Sequence, residues 1–228
     1  MFRVIRGCVG LIAICFALMV QAQDFEAVKR AAEQGNVLAQ TSLGAAYYFG
    51  QGVAQNYVEA ERWYRKAAEQ GDVIAQVALG LMYAEGQGVT PNDTESVSWY
   101  RKAALQENAV AQASLGMMYA EGRGVAKNDV EAVRWTRRAA EQGNVLAQTN
   151  LGAMYVTGRG LTQNFDEAVK WYHLAAEQGF APAQTKLGAM YMEGWGVPRD
   201  DAEAVKWFRK AAVQGYKPAQ DALNSMKK

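Results

Sequence analysis

His173 is the lone histidine of this 228-residue chain and the natural place to look for acid–base chemistry near neutral pH. A catalytic imidazole needs a nucleophile or carboxylate held beside it. His173 instead takes a register position that elsewhere carries Arg65, Arg101, Arg137 and Arg209, so it reads as a solvent-facing helix residue. The two cysteines, Cys8 and Cys15, lie in an apolar N-terminal segment. No G-x-S-x-G occurs, and the one S-x-x-K runs from Ser225 to Lys228 at a terminus, where a nucleophile is not held in place. The G-x-G loops lack the third glycine and flanking strand of a nucleotide fold, and no acidic or histidine cluster has metal-ligand spacing. Asn92-Asp93-Thr94 matches a glycosylation acceptor, but Asn92 is needed as a helix cap. The expectation is a protein that is not an enzyme, with no cofactor and no metal.

The charge balance excludes other classes. Lys plus Arg number 24 against 23 Asp plus Glu, which supplies no general drive toward nucleic acid or anionic membrane. Arg3 and Arg6 open a segment with an apolar stretch from Cys8 to Val20 and then Val20-Gln21-Ala22, the pattern of a secretory signal cut after Ala22. At 13 residues the apolar stretch is shorter than the roughly 20 that span a bilayer. Residues 1–22 are thus expected to be a signal peptide and 23–228 an exported, cysteine-free domain with no membrane span, periplasmic or secreted.

Elements that position side chains come from a repeat. Ala-Gln followed, after two intervening residues, by Leu recurs every 36 residues, at Ala39, Ala75, Ala111, Ala147, Ala183 and Ala219. In the same register fall Gly44, Tyr47 and Trp63 and their successors. Ala39, Leu43, Ala46 and Tyr47 have helical spacing, as do Ala60, Trp63, Tyr64 and Ala67, so each repeat holds two amphipathic helices, A and B. Gly50-Gln51-Gly52 offers two residues free to take positive φ in the loop. Asn56 with Glu59 then reads as a capping box at the start of helix B, and Gly71 as its left-handed end. Glu107 stands where the other repeats place that glycine. The Trp in each repeat reads as core. Domain 23–228 is expected to hold an N-terminal half-unit, five full repeats and a C-terminal half-unit with polar, capping ends.

The patterns A-x-x-x-L-G-x-x-Y, G-x-G-V and A-x-x-W-Y-x-x-A-A resemble the Sel-one-like repeat family, relatives of tetratricopeptide repeats, over about Asp24 to Lys228. The resemblance implies an all-α, right-handed α-solenoid of antiparallel helix hairpins whose A helices line the concave side, in a bacterial adaptor that assembles protein complexes. Some secreted relatives are cysteine-rich and described as penicillin-binding or weakly β-lactamase-like. A cell-wall-related hydrolase is therefore the alternative by family analogy, weakened by the absence of repeat cysteines.

Positions that differ between repeats while facing outward are the candidates for recognition. The helix B stripe is charged and reads as solvated. The helix A stripe is small and uncharged, the character of an interaction site. Its expected contacts are Tyr48, Leu81, Met117 and Met192 as apolar anchors, with Asn150 and Lys186 as polar selectors for a protein or peptide in the groove. Trp195, between Gly194 and Gly196, adds an aromatic at a loop tip that either meets a partner or folds onto its own hairpin.

Overall fold

The computed structural model describes residues 25–226, which contain twelve α-helices and no strand. In chain order they are α1 (Phe25–Glu33), α2 (Val37–Phe49), α3 (Tyr57–Glu69), α4 (Val73–Glu85), α5 (Asp93–Leu105), α6 (Ala109–Glu121), α7 (Asp129–Glu141), α8 (Val145–Thr157), α9 (Phe165–Glu177), α10 (Ala181–Glu193), α11 (Asp201–Ala212) and α12 (Lys217–Ser225). Even numbers are A helices and odd numbers B helices, giving the expected all-α solenoid of hairpins. The backbone divides into two compact bodies, one through Lys127 and one from Asn128. The expected signal segment and its cleavage site lie outside the described residues.

Each boundary has a local cause. Asn36 accepts from the Ala39 amide at 2.9 Å and Asp72 from Ala75 at 2.8 Å, so free amides at the start of an A helix are satisfied by side chain. In α10 and α12 no side chain caps, and a proline in the first turn presets the backbone instead. The A helices from α2 to α10 end on a left-handed glycine, Gly50 at φ 70° for α2. The second loop glycine is needed twice over: Gly124 has φ 65°, and a Cβ there would fall 2.1 Å from the Asp93 carbonyl oxygen.

One expectation about the loop is corrected. Asn56 does cap α3, accepting from Val58 and Glu59 at 3.1 Å. The reciprocal half of the box does not form, because the Asn56 amide donates to the Tyr47 carbonyl at 2.9 Å, closing the loop onto α2. The same bond joins Asn92 to Tyr83, Asn164 to Tyr155 and Asp200 to Tyr191. The glutamate is released to pair one turn on, as Glu59 does with Arg62 at 3.5 Å and Glu167 with Lys170 at 2.6 Å.

The core follows from the small residues. A Cβ added at Gly44 would lie 2.7 Å from the Tyr64 ring, and Gly80, Gly152 and Gly188 face Tyr100, Tyr172 and Phe208 in the same way. Burial raises the pKa of the Tyr172 phenol to about 12 and those of Tyr64 and Tyr100 further, so these rings stay neutral packing groups. The repeated leucines from Leu43 to Leu187 have no exposed surface.

Candidate functional site

Three sets of contacts link neighbouring hairpins within each body, and they decide which side chains are already occupied. The first is an amide ladder. Gln76, buried to 3 % exposure, donates to the Ala68 carbonyl of the preceding helix B at 3.1 Å and accepts from Gln106 of its own helix B at 2.9 Å. Gln106 also donates to the Gly71 carbonyl at 3.1 Å. Gln148 with Gln178 and Gln184 with Gln214 repeat the arrangement at 2.8 and 3.0 Å. A buried amide satisfied on both sides fixes the register between hairpins.

The second set uses the charged stripe of helix B, which proves only partly solvated. Arg65 donates to Glu61 at 2.8 Å and to the Tyr83 phenol, and lies 5.9 Å from the centre of the Trp99 ring. Burial alone would lower the Arg65 pKa, but the hydrogen bond and charge of Glu61 more than offset this, and the guanidinium stays charged. Arg101 reaches Tyr119 and Arg137 reaches Tyr155, both at 2.8 Å. Lys66, Lys102 and Lys210 cover the Trp of their own helix at 4.0, 3.7 and 3.9 Å. His173 is too short for the arginine's role. It is half-buried, edge-on to Trp207 at 5.7 Å, with Nε2 3.9 Å from Glu177.

The third set pairs the loop residue of three repeats with one 30 positions earlier. Arg123 and Asp93 meet at 2.6 Å, as do Arg159 and Asp129. The bond to Asp93 holds the Arg123 pKa above its ordinary value. In the last repeat both partners become aromatic, and Trp195 stacks on Phe165 with centroids 5.4 Å apart and planes at 26°. Trp195 therefore folds onto the preceding hairpin rather than its own, and 45 % of its surface is left exposed.

Against this framework the expected groove residues separate. Tyr48 and Leu81 are not exposed anchors. Tyr48 packs edge-on against Phe49, Tyr57 and Tyr64, and its hydroxyl donates to Gln87 at 2.5 Å. Leu81 is 1 % exposed and continues a buried face with Val77 and Ala78, so its side chain has already left water within the protein. Met117 and Met192 are half-buried, Asn150 is half-buried and Lys186 is exposed. Asn150 and Lys186 occupy one position on successive A helices, and the described residues provide neither with a hydrogen bond or ion pair. Their threonine neighbours are already used: Thr149 donates to the Val145 carbonyl at 2.8 Å and Thr185 to Ala181 at 2.9 Å. Among the described residues no group of three or more His, Cys, Asp or Glu is placed to hold a metal ion, and no helix is long and apolar enough to cross a membrane.

The Sel1 repeat model matches the chain five times in succession, at residues 37–72, 73–108, 109–144, 145–180 and 181–216. The chain belongs to the Sel1 repeat family. It is similar to the crystal structure of c5321, a protective antigen of uropathogenic Escherichia coli strains with an SLR fold, at 42 % identity and a TM-score of 0.86. That match covers 90 % of this chain but 44 % of the E. coli chain, so this chain spans less than half of that relative. A Sel1 repeat protein from Oxalobacter formigenes is 37 % identical with a TM-score of 0.84, over 95 % of this chain and 88 % of its own. A sel1 repeat protein from Klebsiella pneumoniae, at 20 % identity and TM-score 0.54, covers 90 % of this chain and 100 % of its own, and shares the fold alone. The search of curated proteins found no match. Sel1 repeat proteins are generally protein-interaction scaffolds, which is the coarse function this family carries.

Sequence reasoning missed the first and third contact sets. The signals were present: Gln recurs with the 36-residue period in both helices, and positions 30 apart change type together, from Arg with Asp to Trp with Phe.

Proposed function

We propose that the chain works outside the cytoplasm, in the periplasm or secreted, as a non-catalytic scaffold that binds a protein or peptide through the A-helix face of its second body. The observation that carries this reading is the state of Asn150 and Lys186. The same position in the first body is held by half-buried Ser42 and by Ala78 and Ser114, the last two closed off at 4 and 3 % exposure. In the second body it is open to solvent and carries two polar groups the described chain leaves without partners. Polar side chains of this kind select among partners, while half-buried Met192 adds apolar area on the same helix as Lys186. Met117 offers the comparable apolar contact in the first body, and the exposed part of Trp195 a contact at the loop edge.

Photo-crosslinking in intact cells tests the proposal. A benzophenone amino acid replacing Lys186 or Met192 is expected to trap a discrete partner, and one replacing Lys170 on helix B is not. Capture from Lys170 with none from the A-helix positions would overturn the assignment. Recovery of full-length protein in the cytosol would overturn the compartment.

A further inference from the structure

The A helices from α2 to α10 are almost free of charge, and the exception lies in the second body. α2 and α8 contain no charged residue, and α4 and α6 contain one each, Glu85 and Glu121, at their last positions. α10 also ends on an acidic residue, Glu193, but it carries Lys186 in its middle. No described group answers that charge. Glu193 lies two helical turns on, about 10 Å along the axis. α8 offers no carboxylate, and on α12 Asp221 is already paired with Lys217 at 3.3 Å.

The surroundings of Lys186 define what can meet it. Ala189 and Met192 of α10 and Ala153 and Val156 of α8 are half-buried and uncharged. One ammonium balances one carboxylate, whereas a nucleic-acid backbone asks for a row of cations, and these two helices carry only this one. Asn150, at the same position of α8, has both a donor and an acceptor on its amide, the pair that a peptide main chain also presents. Packed helices stand about 10 Å apart. An extended chain advances about 3.3 Å per residue, so one lying across the two helices passes from Lys186 to Asn150 in about three residues.

We propose that the occupant of this face is an extended peptide segment that sets an Asp or Glu side chain on the Lys186 ammonium, its main chain on the Asn150 amide and an apolar side chain over Met192. This rests on the reading of the A-helix face as a partner-binding surface and gives that partner its chemistry. Lysine has donors only, so it admits the carboxylate and rejects a basic residue at the same place.

Panning a phage-displayed library of random linear peptides on wild type, Lys186→Glu and Asn150→Ala provides the test. Wild type is expected to enrich sequences that share an acidic residue with an apolar residue close by, and Lys186→Glu to enrich Lys or Arg in its place. A synthetic copy of a wild-type-selected peptide should bind Lys186→Glu about tenfold more weakly. The same peptide with an amide in place of its carboxylate should no longer tell the two proteins apart, and Asn150→Ala should weaken binding while keeping the acidic preference. Far-UV circular dichroism checks that the variants are folded, and Lys186→Met serves as a second variant that removes the charge without reversing it. Selection of the same sequences by wild type and Lys186→Glu overturns the proposal. So does the absence of an enriched acidic residue, or undiminished binding to Asn150→Ala. Photo-crosslinking from Met192 reads the underlying assignment separately: a trapped partner with no dependence on a carboxylate ends this inference alone, and no trapped partner from either A-helix position ends both.

Discussion

Replacing Glu107 by glycine should stabilise this protein. Glu107 has φ 61°, and it is the one residue other than glycine with positive φ among those described. Its counterparts are glycines with φ from 78° to 95°. A left-handed L-residue costs about 1–2 kcal/mol through the approach of Cβ to the following carbonyl. Two terms oppose the gain. Glycine frees the unfolded chain by about 0.4–1 kcal/mol, and the substitution removes the 3.1 Å bond from Gln112 Nε2 to Glu107 Oε2. Gln112 is buried, but the Glu107 end of the bond is exposed and Gln112 keeps its bond to the Ala104 carbonyl at 3.2 Å, so the loss is worth a few tenths of a kcal/mol. The net expectation is about 0.5 kcal/mol in favour of glycine, a rise of roughly 1–2 °C in Tm for a domain of this size. Glu107→Ala is the decisive companion, since it loses the hydrogen bond but keeps the Cβ. Thermal melts followed by circular dichroism should order the three proteins as glycine above wild type above alanine. Glycine and alanine variants that melt together would refute the reasoning.

Two further outcomes follow from the contacts between hairpins. His173→Arg should restore the staple made by Arg101 and Arg137, reaching the Tyr191 phenol and facing Trp207, and raise stability by about 0.5–1 kcal/mol in urea unfolding; an unchanged midpoint would show that the slot is too exposed to matter. Gly160→Ala should cost clearly more than Gly52→Ala, although φ is 73° and 70°, because the new Cβ at Gly160 lies 2.2 Å from the Asp129 carbonyl while nothing lies within 4 Å of Gly52. Equal losses in calorimetry would mean that φ alone decides.

Much of this architecture was legible as a string of letters, and the reason is local. Helix A and helix B announce themselves through spacing, Asn36 and Asp72 through their position before an apolar run, and Gly71 through the need for positive φ, all of which are properties of a few consecutive residues. A strict 36-residue period then forces each hairpin to stack on the next, since no single hairpin can bury Leu43 or Trp63 alone. The left-handed backbone at Glu107 was foreseeable for the same reason.

What tertiary structure alone decided is the fate of side chains whose neighbours come from other hairpins. Leu81 and Met117 occupy the same sequence register, yet one is interior and the other half-buried, because exposure is set by what surrounds a helix face and not by its periodicity. Arg65 looked like one more solvated charge until Tyr83, 18 residues on, supplied its acceptor. Glu59 was expected to reach back to Asn56, and the Tyr47 carbonyl took that amide first. Trp195 could lie on its own hairpin or meet a partner, and only the position of Phe165 gave it a stacking face. The sequence by itself determined the helices, their ends and their order, since these rest on local backbone energetics. Which polar groups are consumed in stacking the hairpins, and which are left without a partner, as the side chains of Asn150 and Lys186 are, depends on distances between segments that no local pattern encodes.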